Sequence, residues 1–305
     1  MKEKQKVKIG TRGSELALAQ TELVIRALQE KYPGLETEKV VIRTTGDRIL
    51  NQPLIDFGGK GVFVTEFEEA LRSGNIDLAV HSSKDMPMEL GENLEISGVL
   101  PREDARDVLV TLQDTDISGM HRAVIGTGSL RRQHQVRRIY EQADCRNIRG
   151  NVSTRLKKLS DGECDGVILA AAGLKRLKLL ADTNYTYRFF DYDEMIPSGG
   201  QGIIAIEGRG NDTISELVRA ISDETAYLEL EIERRILQQL GAGCHEAVGV
   251  VSQIEKEQVH IRIMWEQRGK VFRTKGTASI EQRNSLTEEL VRQIKAGETE
   301  WEQYI

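Results

Sequence analysis

The fold of this chain is indicated by one short apolar stretch, Gly166-Val167-Ile168-Leu169-Ala170-Ala171-Ala172. It has the composition of a strand that is buried on both faces, and the residues near Leu174–Leu180 predict a helix directly after it. The same pairing of an apolar run with a helical segment recurs on both sides. The predicted strands of this kind are Lys6–Gly10, Glu38–Arg43, Asp77–His81, Asp107–Thr111, Ala123–Gly126 and Ile203–Glu207. Such alternation predicts an α/β fold in which helices cover both faces of parallel sheets.

The helix starts and the last third of the chain complete this prediction. Ser14 can cap the first helix, and Thr65-Glu66-Phe67-Glu68 has the Thr-x-x-Glu form of a capping box. Ser222–Leu240 predicts one long helix, Val259–Trp265 alternates like a half-buried strand, and Asn284–Ala296 predicts a final helix. We therefore expect a small α+β domain at the C-terminal end.

The net charge of the chain conceals a strong local imbalance. The 305 residues are 39% hydrophobic and 30% charged, which allows two or three domains with real cores. The formal charge is −6, but Arg122–Lys158 holds ten basic and two acidic residues, so this segment is +8 and the remainder is −14. An acidic remainder and a single aromatic residue in the basic segment, Tyr140, argue against nucleic-acid binding.

The terminus and the cysteines indicate a cytoplasmic protein. No apolar run approaches the roughly 20 residues of a membrane span, and Met1–Lys6 lacks the apolar region of a signal peptide. The three cysteines, Cys145, Cys164 and Cys244, are too few and too scattered for a disulfide framework. No Cys-x-x-Cys or His-x-x-x-His spacing occurs, so we expect no metal site.

Two predicted strand–helix junctions have the composition of anion sites. Gly126–Arg132 and Arg149–Arg155 combine glycine, hydroxyl groups and arginines with the free N–H groups of a helix start. Each could instead be a capped helix with a solvated basic face. The loop Gly58–Gly61 carries Lys60, which could close over an anion or lie in a surface turn.

Two further segments could carry chemistry. His81–Pro87 follows a predicted buried strand, and Asp85 beside Lys84 could stabilise a cation or move a proton, or could belong to an ordinary turn. Cys244 lies in the glycine-rich segment Gly241–Glu246, where it could be a nucleophile, a covalent attachment point or inert.

Taken in order along the chain, these stretches resemble the hydroxymethylbilane synthase family, also called porphobilinogen deaminases. The segments that carry the resemblance are Thr11–Ala17, Gly58–Gly61, His81–Pro87, Arg102–Asp107, Gly126–Arg132, Arg149–Arg155, Ala172–Arg176 and Gly200–Gly202. The resemblance implies two α/β lobes like those of periplasmic binding proteins, joined by a hinge, and a small α+β C-terminal domain. The implied domains are residues 1–100 with 198–221, residues 101–197, and residues 222–305.

The resemblance also implies an activity and a cofactor. The family joins four porphobilinogen molecules head to tail with loss of ammonia, elongating from a dipyrromethane cofactor held by a thioether to the cysteine that matches Cys244. Asp85 matches the catalytic aspartate, which stabilises the cationic azafulvene formed when ammonia leaves. The implied residues that bind substrate and cofactor carboxylates are Arg12, Ser14, Lys60, Ser82, Lys84, Thr127, Ser129, Arg131, Arg132, Arg149, Arg155, Arg176 and Gln201.

Some positions depart from the family pattern. The family's cysteine motif usually reads Gly-Gly-Cys-Gln-Val-Pro, whereas here it is Ala242-Gly243-Cys244-His245-Glu246-Ala247, and Asp56 stands where a basic residue is common.

The implied partner is the small molecule porphobilinogen, with no nucleic acid and no membrane. The family implies a monomer, with a possible transient hand-over of product to the next enzyme. The alternative is a non-catalytic two-lobe protein that binds a small anion, which would have no use for Asp85 or Cys244.

Overall fold

The computed structural model describes residues 6–44, 64–117, 119–242, 246–267 and 269–297, with the backbone of residues 301–302. The described strands are β1 (Lys6–Thr11), β2 (Glu36–Val41), β3 (Leu78–Ser82), β4 (Leu94–Val99), β5 (Asp107–Leu112), β6 (Val124–Gly126), β7 (Asp144–Arg146), β8 (Gly166–Ala170), β9 (Tyr185–Phe189), β10 (Ile204–Arg209), β11 (Val248–Glu255), β12 (Gln258–Gln267), β13 (Lys270–Ser279) and β14 (Trp301–Glu302). The described α-helices are α1 (Glu15–Lys31), α2 (Thr65–Arg72), α3 (Leu130–Ile139), α4 (Val152–Ser160), α5 (Ala171–Arg176), α6 (Thr213–Arg219), α7 (Glu224–Leu240) and α8 (Arg283–Ala296).

The chain forms two compact units, and each is built from two stretches of sequence. The first unit comprises Met1–Arg102 and Ile203–Leu228, and the second comprises Glu103–Gly202 and Glu229–Ile305. The division into three domains, with residues 222–305 as a body of their own, stays a prediction.

The first unit contains a five-stranded sheet in the order β2-β1-β3-β10-β4. β1 pairs in parallel with β2 and β3, whereas β10 runs antiparallel to both β3 and β4. Val24 and Leu28 of α1 pack on one face of the sheet, and Phe67 and Leu71 of α2 pack on the other. The carboxyl ends of β1, β2 and β3 therefore meet at one edge of this sheet, together with the first residue of β10.

Of the two helix N-terminal caps predicted in this unit, one is present and one is not. Ser14 caps α1 as predicted, because its Oγ accepts a hydrogen bond from the Ala17 N–H at 3.3 Å. The helix predicted at Thr65 is present, but the capping box is wrong. Thr65 is already the first helical residue, and Val64 precedes it without a side-chain cap.

The second unit repeats the same strand arrangement in the order β7-β6-β8-β5-β9. β6 pairs in parallel with β7 and β8, and β5 runs antiparallel to β8 and β9. Val167 and Ile168, from the apolar stretch that predicted the fold, are fully buried on β8. The stretch ends as a strand at Ala170, and Ala171 and Ala172 begin α5.

The second unit also contains an antiparallel sheet in the order β11-β12-β13-β14. Val259, Ile261 and Ile263 are fully buried, as the alternation along β12 predicted. α8 packs so closely on β13 that a Cβ at Gly276 would lie 2.6 Å from Leu286 Cδ1.

These observations confirm the predicted fold class of two α/β lobes and a small α+β element at the C-terminal end. The expectation of wholly parallel sheets is wrong, because both five-stranded sheets are mixed. A strand that is buried on both faces has the same apolar composition whichever way it runs, so its sequence does not reveal its direction.

Candidate functional site

The first unit brings its predicted site residues to the carboxyl edge of its sheet. Arg12 and Ser14 follow β1, while Ser82 ends β3 and Lys84 and Asp85 follow it. Ligands of open α/β sheets bind at this edge, because loops and helix starts there expose free polar groups. Lys60 lies in the sequence after β2 but outside the described residues.

Asp85 is an exposed carboxylate at the end of a fixed turn. Ser83–Asp85 form one turn of 3₁₀-helix directly after β3. The Ser83 N–H donates to the Ile203 carbonyl at 3.0 Å, and the Met86 N–H donates to the Ser83 carbonyl at 3.1 Å. Met86 is fully buried and anchors the turn, whereas Asp85 is exposed. A rigid turn thus presents a carboxylate that an incoming cation or proton donor can reach.

Polar pairs lie beside and beneath this turn. Ser82 Oγ is 2.9 Å from Nε2 of Gln20, a buried residue of α1. His81 Nε2 is 2.8 Å from Oε2 of Glu207, which is fully buried on β10. These pairs fasten the end of β3 to the neighbouring helix and strand. His81 is therefore a hydrogen-bonded, packed residue.

The two predicted anion turns of the second unit are capped helix starts. Thr127 Oγ1 accepts from the Ser129 N–H at 3.2 Å, and Ser129 caps α3. Asn151 Oδ1 accepts from the Thr154 N–H at 2.8 Å and caps α4. α3 follows β6 and α4 follows β7, so their N-terminal ends lie on the same edge of the sheet. The positive ends of both helix dipoles favour an anion there.

Arg131 and Arg132 form a buried cluster around Asp107, the first residue of β5. Arg131 Nη1 is 2.7 Å from Asp107 Oδ2, and Arg132 Nη2 is 2.7 Å from Asp107 Oδ1. Gln201 Nε2 also donates to Asp107 Oδ1, at 2.9 Å. Burial by itself would raise the pKa of Asp107, but the two guanidiniums hold that pKa far below its usual range.

The two guanidiniums of this cluster differ in how many N–H groups they have left for a ligand. Arg132 donates through Nε and Nη2 to Asp107 and through Nη1 to the Ile168 carbonyl. Arg131 donates through Nη1 to Asp107 and to the Ile196 carbonyl. Within the described part of the chain, Nε and Nη2 of Arg131 make no further hydrogen bond. Arg131 is therefore better suited than Arg132 to bind a carboxylate.

Arg176, on α5, is a cation that is largely removed from water, and a nearby acidic group offsets the cost of its burial only in part. Its Nη2 donates to the Gly202 carbonyl at 2.6 Å, and it makes no ion pair with any described residue. Burial lowers the pKa of Arg176 to about 10, and the charge of Glu103 offsets this only in part. A carboxylate ligand would supply the counter-charge that the fold leaves out.

The remaining predicted arginines belong to the same edge. Arg155 Nε donates to the Gly150 carbonyl at 2.8 Å, so α4 and its preceding turn are held together. Arg149 is half-buried beside them. The sheet topology thus brings Thr127, Ser129, Arg131, Arg149, Arg155 and Arg176 to one edge, with Arg132 and Gln201 packed behind on Asp107. Their roles in ligand binding stay a prediction.

The described cysteines are not reactive centres. Cys164 is buried and Cys145 is half-buried, both are free thiols, and burial raises the pKa of each. Cys244 lies outside the described residues. No cluster of potential metal ligands occurs among the residues that the structure places. No helix in the described ranges is long and apolar enough to cross a bilayer.

Residues 7–216 match the family model described as "Porphobilinogen deaminase, dipyromethane cofactor binding domain". The chain belongs to this family. Among similar proteins, the porphobilinogen deaminase of Sulfurimonas denitrificans is 42% identical over 247 residues, which cover 81% of this chain and 79% of that protein. That of Clostridium acetobutylicum is 38% identical over 290 residues and covers 95% of this chain and 98% of its own length. The resemblance predicted from the motifs is confirmed.

A solved structure can also be superposed on the chain. The periplasmic VFT2 domain of Bordetella pertussis BvgS matches with a TM-score of 0.42 and 16% identity, over 71% of this chain and 86% of that domain.

The sequence reasoning did not single out two buried carboxylates. Asp107 organises the arginine cluster, and it belongs to a segment that carried the family resemblance without a role of its own. Glu233 of α7 is fully buried and accepts hydrogen bonds from two separate segments. Nothing in the helical pattern of Ser222–Leu240 distinguished Glu233 from the exposed glutamates nearby.

Proposed function

We propose that this chain is a hydroxymethylbilane synthase, which joins four porphobilinogen molecules head to tail and releases ammonia at each addition. The observation that carries the proposal is the set of cationic groups at the carboxyl edge of the β7-β6-β8-β5-β9 sheet, in a chain of the porphobilinogen deaminase family. Each pyrrole bears an acetate and a propionate, so a growing product needs many counter-charges. Arg176, which is desolvated and makes no ion pair within the described part of the chain, is suited to this role.

We assign the proton and charge chemistry to Asp85. When the amino group of porphobilinogen's aminomethyl substituent leaves as ammonia, the C–N bond breaks and positive charge develops on the pyrrole and the methylene carbon that stays attached to it. An exposed carboxylate on a fixed turn can accept a hydrogen bond from the pyrrole N–H and stabilise that charge. The bonds that fix Ser83 and Met86 keep the carboxylate in place, so little reorganisation is needed as the charge develops.

The described residues fit a dipyrromethane group in the chemistry of their donors. That group is a pair of linked pyrroles with four carboxylates, and the edge supplies Arg131 Nη2, Arg176 and two helix starts as complementary donors. When bound, it supplies the terminal pyrrole carbon from which elongation begins. We propose that Cys244 attaches it covalently and that Arg149 and Arg155 help to hold its carboxylates.

The mass of the intact protein tests this function. We expect purified wild-type protein to exceed its sequence mass by two linked pyrrole units, and Cys244→Ser to lack the excess. Cys145→Ser is the matched control and should keep it, because Cys145 is a half-buried thiol with a raised pKa. Unmodified wild-type protein that does not consume porphobilinogen would overturn the proposal and favour a non-catalytic anion-binding protein.

We further propose that the enzyme is a cytoplasmic monomer that hands its linear product to the next enzyme only transiently. The small number and wide spacing of the cysteines support a reducing compartment. Light scattering of the purified protein at micromolar concentration tests the monomer, and a mass of twice 34.2 kDa would contradict it.

A further inference from the structure

The short segment Ile196–Gly202, which we call the return segment, contacts Arg131, Arg176 and Asp107 at the carboxyl edge of the β7-β6-β8-β5-β9 sheet. The Ile196 carbonyl accepts from Arg131 Nη1 at 2.7 Å, and the Gly202 carbonyl accepts from Arg176 Nη2 at 2.6 Å. Gln201 Nε2 donates to Asp107 and to the Ala105 carbonyl at 2.7 Å. The position of this segment therefore influences where the two guanidiniums lie, together with Asp107 in the case of Arg131.

The return segment is fixed from its other side by one buried carboxylate. Glu233 Oε2 accepts from the Gly200 N–H at 2.6 Å, and Glu233 Oε1 accepts from the Ser252 N–H at 2.7 Å. Glu233 is fully buried on α7, and Ser252 is fully buried on β11. One side chain thus joins three elements through hydrogen bonds to a charged acceptor, which are stronger than neutral ones.

Packing leaves the return segment little freedom to adopt a second position. A Cβ at Gly199 would lie 2.8 Å from both Leu237 Cδ1 of α7 and Val250 Cγ1 of β11. Gly200 has a φ of 74°, a conformation that other residues adopt only with strain. The Val250 N–H also donates to the Pro197 carbonyl at 2.9 Å.

We propose that Glu233 is a positioning residue for the reaction, acting through the return segment on Arg131 and Arg176. This inference rests on the proposed function, because it assigns those two guanidiniums to the carboxylates of substrate and cofactor. Glu233 is fully buried, and through Gly200 it holds the return segment, whose Ile196 and Gly202 carbonyls accept from the two guanidiniums. A loosened return segment weakens binding in the ground state and the transition state alike, so KM rises while kcat is kept.

Glu233→Gln is the direct test, and Glu229→Gln is its matched control. Both Glu233 oxygens accept from donors, so an amide must turn an NH₂ group toward Gly200 or Ser252 and lose that bond. Glu229 lies one turn earlier on α7 and accepts from the Ile254 N–H at 3.0 Å, a bond that an amide oxygen can keep. Ser252→Ala removes the Ser252 hydroxyl contact with Glu233 and leaves Gly200 bound.

We expect Glu233→Gln to raise KM for porphobilinogen about fivefold or more, with kcat within about twofold of wild type. Glu229→Gln and Ser252→Ala should keep KM within about twofold even where they lower the melting temperature. Rises in KM that are equal in all three variants, or a fall in kcat alone for Glu233→Gln, would overturn the proposal.

A measurement on the wild-type protein covers the case in which Glu233→Gln does not fold. Amide exchange should show the Gly200 N–H protected to the same degree as the Ser252 N–H, because both donate to the same buried carboxylate. Fast exchange at Gly200 beside slow exchange at Ser252 would refute the role of Glu233. A wild-type protein that leaves porphobilinogen unchanged would refute the proposed function instead, and the exchange result would still stand.

Discussion

Three arginines that look equivalent in the sequence have different environments in the structure. Arg132 uses all three of its nitrogens on Asp107 and Ile168, so its charge is committed to the fold. Arg131 uses one nitrogen, and Arg176 donates to a single carbonyl without an ion pair among the described residues. The motif shows that guanidiniums are present at this edge. Their neighbours, which come from distant parts of the chain, decide which of them can bind a ligand.

Arg176→Gln should weaken substrate binding without weakening the fold. Removing a desolvated cation that makes no ion pair with a described residue relieves a burial cost, and the Gly202 carbonyl keeps its second donor, the Glu103 N–H at 3.1 Å. We expect KM for porphobilinogen to rise about tenfold or more, with the melting temperature unchanged or higher. The control is Lys175→Gln, which removes an exposed ion pair with Glu103. Arg176→Gln with unchanged KM would exclude Arg176 from the binding site.

Asp85→Asn should abolish most turnover and leave the protein folded. The side chain is exposed and its turn is fixed by backbone bonds of Ser83 and Met86, so the amide fits without rearrangement. We expect kcat to fall by about 100-fold or more, because the charge that stabilises the cation is lost. Intact mass should show the cofactor still attached. A rate near that of wild type would show that Asp85 is not the catalytic carboxylate.

At the scale of elements, the sequence predicts the presence of strands and helices better than it predicts strand direction or the contacts between elements. The apolar runs predicted the strands at Leu78–Ser82 and Gly166–Ala170, and periodicity predicted Glu224–Leu240 within two residues. Strand direction was missed because burial on both faces hides it. The buried cluster of Asp107 was also missed, because it joins β5, α3 and β8 across at least 24 residues of sequence.

Asp107→Asn should destabilise the second unit through those three elements. It leaves two buried guanidiniums without their counter-charge, a loss of about 3–5 kcal/mol in the free energy of unfolding at pH 7. Urea unfolding measures it. Asp104→Asn is the control, because Asp104 pairs with Arg106 at a half-buried site and its loss should cost far less.

The pH dependence of stability separates the two variants further. The guanidiniums lower the pKa of Asp107 in the folded state, so its contribution is present above the pKa of an unfolded aspartate, about 3.9. That contribution is lost as the pH falls below this value. Wild type should therefore lose stability between about pH 5 and pH 3 more steeply than Asp107→Asn. Equal slopes would show that Asp107 does not carry the effect.

At the scale of the whole molecule, the basic residues that give Arg122–Lys158 its charge of +8 differ in their ion-pair partners. Asp107 pairs with both Arg131 and Arg132 and offsets one of their two charges, and Lys157 and Lys158 of α4 pair with Asp161 and Glu163, which follow that helix. The sequence could show the excess and its segment. It could not show which cations are already paired, because their partners Asp107, Asp161 and Glu163 lie outside Arg122–Lys158.

The position of β10 has a consequence for how the protein is made. β10 lies between β3 and β4 in the first sheet, yet it enters the sequence only at Ile204, after the whole stretch Glu103–Gly202. A nascent chain emerging from the ribosome can complete the β7-β6-β8-β5-β9 sheet once Phe189 has been synthesised. At that point β10, the strand that pairs with both β3 and β4, has not yet been synthesised. The turn that presents Asp85 is anchored to Ile203, so it is secured after that second sheet. Any product of translation that stops before Ile203 lacks the residue that anchors the turn of Asp85, even though it contains Asp85 itself.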